Sequence, residues 1–191
     1  MFDPRKDINI SQLWPTYMYM GTVKDIDNEK ISEWILNYKK NTKTRDASNQ
    51  GGWQESISDY QDEPIFKNFI EAILQTIRVT KLKGEKVIIH SWANINEKGN
   101  WNFIHDHLGS DLSGVYYVKV PKNSGEIVFF DPRTIATANS AFKEDHPKSM
   151  GVKPIEGNLL MFPSYLEHMV TPSESEEIRI SIAFNICLTN K

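Results

Sequence analysis

The sequence has only one cysteine, no long apolar run and no large excess of either charge. The lone thiol, Cys187, excludes an internal disulfide framework and a cysteine-based metal site, and it suits a reducing compartment. The 22 Lys and Arg residues nearly balance the 25 Asp and Glu residues, which argues against nucleic acid as a partner. No stretch reaches the roughly 18 apolar residues of a membrane span, and the opening MFDPRKDINI lacks the apolar segment of a signal peptide. We therefore expect a soluble, cytoplasmic protein without a nucleic-acid or membrane partner.

The pattern of apolar residues changes near Glu85, from helical spacing before it to short β-rich runs after it. Before it, DIDNEKISEWILNYKKN and DEPIFKNFIEAILQTIRV carry apolar residues at helical spacing, and Asp27 and Pro64 suit the starts of two helices. After it come short β-rich runs without helical crossovers, which favour antiparallel sheets in a sandwich or jelly roll. We predict one mainly β (α+β) domain over residues 1–191, with a helical part over 1–84 packed on one sheet and a jelly-roll core over 85–191.

Two further segments, Thr44–Ser56 and Pro132–Gly151, show neither the helical nor the strand period of apolar residues. We predict that both are long loops. Loops of this length are often functional. We expect them to determine which substrate or ligand the protein accepts, although no recognition code can be read from them.

The segment FIHDHLGSDLSGVYYVKVP places two histidines two residues apart before a β-rich run. Alternate side chains of a strand share a face, so His105 and His107 can bind one ion, whereas Asp106 would need a bulge to join them. A third ligand is available in His168, which follows the apolar run of GNLLMFPSYLEHMVTPS. By itself the H-x-H pair does not distinguish metal ligands from ordinary histidines.

The segment EIRISIAFNICL divides its residues between two faces of a strand. Its isoleucines, Phe184 and Leu188 all fall on one face, which must pack on the core or on the helices. Arg179 and Ser181 fall on the other face, two residues apart, where a guanidinium and a hydroxyl can hold one carboxylate. The alternative for this face is simple exposure to solvent.

In their order and spacing these residues resemble the Fe(II)/2-oxoglutarate-dependent oxygenase superfamily. The segments NWNFIHDHLGSDLSGVYYVKVPKNSGEIVFFDPR and GNLLMFPSYLEHMVTPSESEEIRISIAFN are similar to a prolyl-hydroxylase-like subgroup, and the resemblance covers Val87–Asn185. It implies a cupin-like double-stranded β-helix that uses Fe(II), 2-oxoglutarate and O2 to hydroxylate an unidentified peptide or small molecule, with release of succinate and CO2. The residues implied are His105, His107 and His168 for the metal, and Arg179, Ser181, Tyr117 and Asn94 for 2-oxoglutarate.

The sequence departs from the superfamily pattern at His107, which occupies the position of the usual carboxylate ligand. Three neutral imidazoles would leave one more positive charge on the iron site than two histidines and a carboxylate. Two other readings remain open. Asp106 could replace one histidine through a bulge, or His107, Leu108 and Gly109 could correspond to the H-x-G of halogenases.

A function of a different class is also open, namely a non-catalytic jelly roll that binds a metal or a small acid. Arg179 discriminates between the two functions, because a cupin-like binding module has no need for a carboxylate clamp one strand beyond its last metal ligand. A buried Arg179 that is permanently paired with a protein carboxylate would favour the binding module. A buried guanidinium that faces an open cavity would favour the oxygenase.

Overall fold

The computed structural model describes residues 15–80, 82, 84, 86–133 and 148–189, which form two α-helices, two short 3-10 turns and eleven strands. In chain order the elements are β1 (Tyr19–Thr22), α1 (Asn28–Lys40), β2 (Asn49–Gln50), β3 (Trp53–Ser56), the turns Ser58–Tyr60 and Pro64–Phe66, α2 (Lys67–Val79), β4 (Lys86–Asn96), β5 (Trp101–His105), β6 (Leu112–Lys119), β7 (Ile127–Phe130), β8 (Ser149–Val152), β9 (Asn158–Pro163), β10 (His168–Val170) and β11 (Arg179–Thr189). Within these residues, no helix is both long enough and apolar enough to cross a membrane.

The strands form two antiparallel sheets. The large sheet has six strands in the order β1-β9-β6-β11-β4-β3, and the small sheet has five in the order β2-β5-β10-β7-β8. Two such sheets closed over one another make a jelly roll. The predicted mainly β, jelly-roll fold class is confirmed.

Both helices pack on one face of the large sheet, as expected. Helix α1 begins where the Asp27 side chain accepts the Lys30 N–H, and it buries Ile31 and Ile35. Helix α2 begins at Lys67 rather than at Pro64, because Pro64–Phe66 forms a separate 3-10 turn ahead of it. Proline fits the first position of that turn, since its missing N–H has no partner to lose there.

Strand β11 separates the helix-covered core from the interior between the sheets. Ile180, Ile182 and Phe184 are completely buried against the two helices, so the predicted apolar face of this strand is confirmed. The opposite face of β11 looks toward the small sheet. The fold thus directs Arg179 and Ser181 into the space between the sheets.

The prediction that Thr44–Ser56 is a loop is wrong, because β2 and β3 lie within it. Strand β2 pairs with β5 of the small sheet and β3 pairs with β4 of the large sheet, so this segment crosses from one sheet to the other. Gly51 and Gly52 make the crossing with φ of +72° and +73°, in the left-handed region that favours glycine. Strands of two and four residues are too short to show the alternation that reveals a strand in sequence.

The part of the chain over residues 1–84 is not purely helical either, since β1 pairs with β9 at the edge of the large sheet. The second predicted loop, Pro132–Gly151, ends in β8, which begins at Ser149. Residues 134–147, which include His146, lie outside the described residues.

Candidate metal centre and its cavity

A cavity of about 610 Å³ lies between the two sheets. Its walls include every candidate site residue from the sequence: Asn94, His105, His107, Tyr117, His168, Arg179 and Ser181. The fold thus brings residues from β4, β5, β6, β10 and β11 to one space.

Three histidines come together in this cavity, as the H-x-H segment and the distant histidine predicted. One ring nitrogen from each of His105, His107 and His168 lies within 4.8 Å of the others. His105 ends β5 and His168 begins β10, and the two residues are direct partners in the ladder. His107 lies beyond the end of β5, where its N–H donates to Ser164 O over 2.9 Å. The described cluster contains three imidazoles and no carboxylate.

A bulge in β5 orients His105. His168 pairs with His105 and Val170 pairs with Asn102, so three residue steps on β5 oppose two on β10. The additional residue brings Asn102 and His105 to the same face, and both line the cavity. The Phe103 N–H bonds to Ser48 O over 2.9 Å, outside the ladder with β10. The bulge therefore lies before the histidine pair and not at Asp106.

Asp106 has a local role in the turn that follows β5. Its Oδ1 accepts the Leu108 N–H over 3.2 Å, and Gly109 closes the turn with φ of +98°. The reading in which Asp106 replaces a histidine gains no support, because this carboxylate is not a member of the ligand cluster. The halogenase-like reading also gains no support, because it requires His105 to lie apart from the cluster, whereas His105 is a member of it.

Burial keeps the three imidazoles neutral near pH 7. Loss of water lowers the pKa of His107 to about 4 and that of His168 to about 3, and it also lowers the pKa of His105. His105 Nδ1 donates to Phe103 O over 2.6 Å, and His168 Nδ1 donates to Leu166 O over 2.9 Å. Because Nδ1 carries the proton in these two rings, Nε2 holds the free lone pair that a metal needs.

Arg179 lies in the same cavity without an anionic partner. Its side chain is 4% exposed, its Nη1 donates to Ser124 O over 2.9 Å and its Nη2 donates to Asn96 Oδ1 over 3.1 Å. The Nε–H has no acceptor, and no carboxylate among the described residues bonds to the guanidinium. Burial lowers the pKa of Arg179, but a guanidinium stays protonated in proteins, so a buried positive charge is left open to an anion.

Ser181 lies two residues after Arg179 on β11 and belongs to a row of polar side chains across the large sheet. It pairs with Asn94 on β4 and with Tyr117 on β6, so the three side chains lie side by side. Burial raises the pKa of Tyr117 to about 12, and its phenol therefore remains a hydrogen-bond donor at neutral pH. The row offers hydroxyl and amide donors next to Arg179.

Four other residues contact the candidate site residues and were not among the residues predicted for the site. Ser48 Oγ lies 3.3 Å from His105 Nε2, and Asn185 Nδ2 lies 3.5 Å from His107 Nδ1. Asn96 holds Arg179, and the Trp92 ring centroid lies 5.7 Å from that of His107. Trp92 also forms part of the cavity wall. The inward position of Asn185 on β11 was the one sequence signal for this group.

The donors present fit both an iron ion and a dicarboxylic acid. Neutral imidazole nitrogens suit Fe(II), three of them converge, and Nε2 of His105 and of His168 has its lone pair available. The unpaired Nε–H of Arg179 and the neighbouring hydroxyls suit a carboxylate. His105 and His168 lie on the small sheet and Arg179 lies on the large sheet, and all three line the same cavity.

Comparison with known proteins agrees with this geometry. The family model described as "Putative 2OG-Fe(II) oxygenase" matches residues 90–185, which is half of the chain. No curated protein sequence matches. Members of that family are oxidoreductases, and Fe(II), 2-oxoglutarate and O2 are their cofactor and cosubstrates.

Solved structures share the fold at low sequence identity. A prolyl-4-hydroxylase from Pseudomonas putida has a TM-score of 0.66 at 14% identity, covering 92% of this chain and 94% of the other. A Trichoplax adhaerens prolyl hydroxylase, in complex with a hypoxia inducible factor peptide fragment, has a TM-score of 0.67 at 14% identity over 89% of this chain and 83% of that one. HygX from Streptomyces hygroscopicus, with nickel and 2-oxoglutarate bound, has a TM-score of 0.64 at 12% identity over 91% and 84%. The family match over half of the chain, on a jelly roll of this kind, makes this protein a member of the 2OG-Fe(II) oxygenase family.

Proposed function

We propose that the protein is a dioxygenase that couples the oxidative decarboxylation of 2-oxoglutarate to the hydroxylation of an unidentified peptide or small molecule. One 2-oxoglutarate, one O2 and one substrate C–H bond give succinate, CO2 and an alcohol, so the two oxygen atoms enter succinate and the hydroxyl group. The observation that carries this proposal is the buried guanidinium of Arg179, which bonds to no carboxylate among the described residues and faces the cavity of the three histidines.

In this proposal His105, His107 and His168 hold Fe(II), and Arg179 and Ser181 bind the far carboxylate of 2-oxoglutarate. Tyr117 and Asn94, in the row of Ser181, donate further hydrogen bonds to the cosubstrate. When bound, Fe(II) supplies the redox chemistry that activates O2. The residues of this chain supply the positions, because three ligands and one guanidinium fix both ends of the cosubstrate.

The interior between the sheets also restricts water around the reacting groups. Leu160, Phe162 and Ile127 are buried in the inner layer that adjoins the cavity. Ser48, Trp92, and Gln54 and Ser56 of β3 line other parts of the cavity wall and leave space for a second ligand beside the cosubstrate. We place the prime substrate there.

A non-catalytic binding jelly roll is not favoured. Such a module would satisfy its buried arginine permanently with an internal Asp or Glu, because an unpaired buried charge destabilises the fold. Arg179 has two neutral acceptors and an unused Nε–H instead. The single cysteine remains our reason to propose a cytoplasmic location.

A succinate-release assay tests the proposal. Purified protein is incubated with Fe(II), 2-oxoglutarate, O2 and pools of peptides, amino acids and small metabolites, and succinate is measured against a chelator-treated control. We expect one pool to stimulate succinate formation and His168→Ala to abolish it. Equal succinate formation by wild type and His168→Ala would contradict the proposed site. If wild-type protein binds Fe(II) and 2-oxoglutarate but forms no succinate with any pool, the proposed reaction is contradicted.

A further inference from the structure

Among the described residues, no backbone carbonyl bonds to the ring of His107, unlike the other two histidines of the cluster. His105 and His168 each donate Nδ1–H to a main-chain oxygen, which leaves Nε2 free. The partner of His107 Nδ1 is instead the side-chain amide of Asn185, whose Nδ2 lies 3.5 Å away while its Oδ1 faces Ser113. The tautomer of His107 therefore depends on which atom of that amide faces the ring.

Asn185 belongs to a polar chain that leads back to His107. Ser113 Oγ lies 2.8 Å from Asn185 Oδ1 and 2.8 Å from Ser164 Oγ. The carbonyl oxygen of Ser164 then accepts the N–H of His107 over 2.9 Å. Ser113 and Ser164 are each only 1% exposed, so water cannot replace these contacts. The side chain and the backbone of His107 are thus held by one network.

The orientation of the amide decides whether His107 can act as a ligand through Nε2. If Nδ2 faces the ring, Nδ1 must accept and the proton lies on Nε2, where it blocks a metal. If Oδ1 faces the ring, Nδ1–H donates to it and Nε2 is free. A half-turn of the amide exchanges the two atoms, and the Ser113 hydroxyl can accept from an amide NH2 as well as donate to an amide oxygen.

We propose that Asn185 is a positioning residue of the metal centre: with its amide turned by 180° from the orientation in the structure, its oxygen accepts Nδ1–H of His107 and so selects the tautomer that presents Nε2 to the metal. This inference rests on the proposed function, because it assumes that the three histidines hold a metal. The hydrogen bond to Asn185 would orient the ring of His107, which lies outside a strand, as backbone carbonyls orient the other two rings. Hydrogen-bond partners of this kind commonly tune metal affinity.

Titration with Co(II), followed by its visible absorption, tests the proposal through three variants. Asn185→Leu removes the acceptor, and we expect metal affinity to fall about 10–100-fold. Asn185→Asp keeps an oxygen but cannot donate, and we expect it to bind within about threefold of wild type or more tightly, because a carboxylate makes the imidazole more basic. Asn28→Leu is the matched control, because Asn28 holds Tyr116 on the helix-covered face, and we expect wild-type affinity.

Two outcomes would overturn the proposal. One is wild-type Co(II) affinity in Asn185→Leu, and the other is an Asn185→Asp protein that binds as weakly as Asn185→Leu. If the Asn185 variants do not fold, the His107 tautomer of wild type can be read from long-range 1H–15N NMR of histidine-labelled protein. Protonated Nδ1 supports the proposal and protonated Nε2 contradicts it. Failure of the proposed function looks different, because wild type and His168→Ala would then bind Co(II) equally weakly.

Discussion

His105 and His168 lie opposite each other on neighbouring antiparallel strands, with ring centroids 4.3 Å apart, and each donates Nδ1–H to the carbonyl two residues before it. The two rings are thus oriented by their own backbone segments. Both present Nε2 to the same space, which lies inside the sandwich. Two of the proposed metal ligands are therefore largely oriented by the fold itself.

Because burial keeps His107 and His168 neutral, the metal-free protein should lose stability in mild acid. Well above pH 6.5, the ordinary pKa of an imidazole, these histidines are uncharged in both the folded and the unfolded chain, whereas the folded pKa values of His107 and His168 are about 4 and about 3. Between these values and 6.5 the unfolded chain binds protons that the folded chain does not. The free energy of unfolding should thus decrease as the pH is lowered, by at most about 1.4 kcal/mol per pH unit for each histidine.

Thermal unfolding of chelator-treated protein from pH 7 to pH 4 measures this dependence. His168→Gln cannot titrate at that position, so we expect its melting temperature to fall less steeply with pH than that of wild type. Identical slopes would show that His168 does not have a lowered pKa in the folded protein.

Replacing Arg179 should weaken 2-oxoglutarate binding selectively. Arg179→Ala removes a charge-assisted contact, and we expect the dissociation constant for 2-oxoglutarate to rise about 10–100-fold. Affinity for Co(II) should be unchanged, because Arg179 does not touch the histidines. Isothermal titration measures both quantities, and Arg133→Ala, at an exposed arginine paired with Asp131, is the control. Parallel loss of Co(II) and 2-oxoglutarate affinity would point to general disruption instead.

Ser48 should compete with the metal. Because Phe103 O takes the proton of His105 Nδ1, the Ser48 hydroxyl donates to His105 Nε2 across 3.3 Å, and a metal must displace it. Losing one net hydrogen bond from the metal-free state should make Co(II) binding about 2–10-fold tighter in Ser48→Ala. Ser149→Ala, at an exposed position at the start of β8, should bind as wild type. Weaker Co(II) binding by Ser48→Ala would mean that this hydroxyl supports the metal.

Gly114 of the SGVYYV segment should not accept a methyl group. An added Cβ would lie 2.5 Å from Leu160 O, a backbone atom, and 2.4 Å from Phe184 Cζ. We expect Gly114→Ala to lower the free energy of unfolding by about 1–3 kcal/mol. Gly21→Ala, where nothing lies within 4 Å of the added Cβ, should change it by less than about 0.5 kcal/mol. Denaturant unfolding compares them, and equal stabilities would contradict the packing described at Gly114.

The sequence predicted best where the information is local. Alternation along β11 predicted the two faces of that strand, because the period of a strand needs no knowledge of its neighbours. Helical spacing predicted α1 and α2 in the same way. The order of histidines and arginine, together with the family resemblance, predicted which residues would gather in one cavity.

Contacts that depend on register between distant strands could not be predicted. Asn96 reaches Arg179 because β4 and β11 align these residues, and no local pattern encodes that alignment. The bulge that orients His105 is likewise visible only against β10. Ser48 lies in a segment predicted to be a loop, and its contact with His105 depends on the two-residue strand that follows it.

The most direct measurement of the central claim is an anaerobic titration of the protein with Fe(II) and then 2-oxoglutarate, followed by visible absorption. If the three histidines hold iron and Arg179 anchors the cosubstrate, a charge-transfer band should appear only when both are present. His168→Ala should abolish the band, and Arg179→Ala should require about 10–100-fold more 2-oxoglutarate to produce it. No band in wild type, or an undiminished band in His168→Ala, would contradict the account.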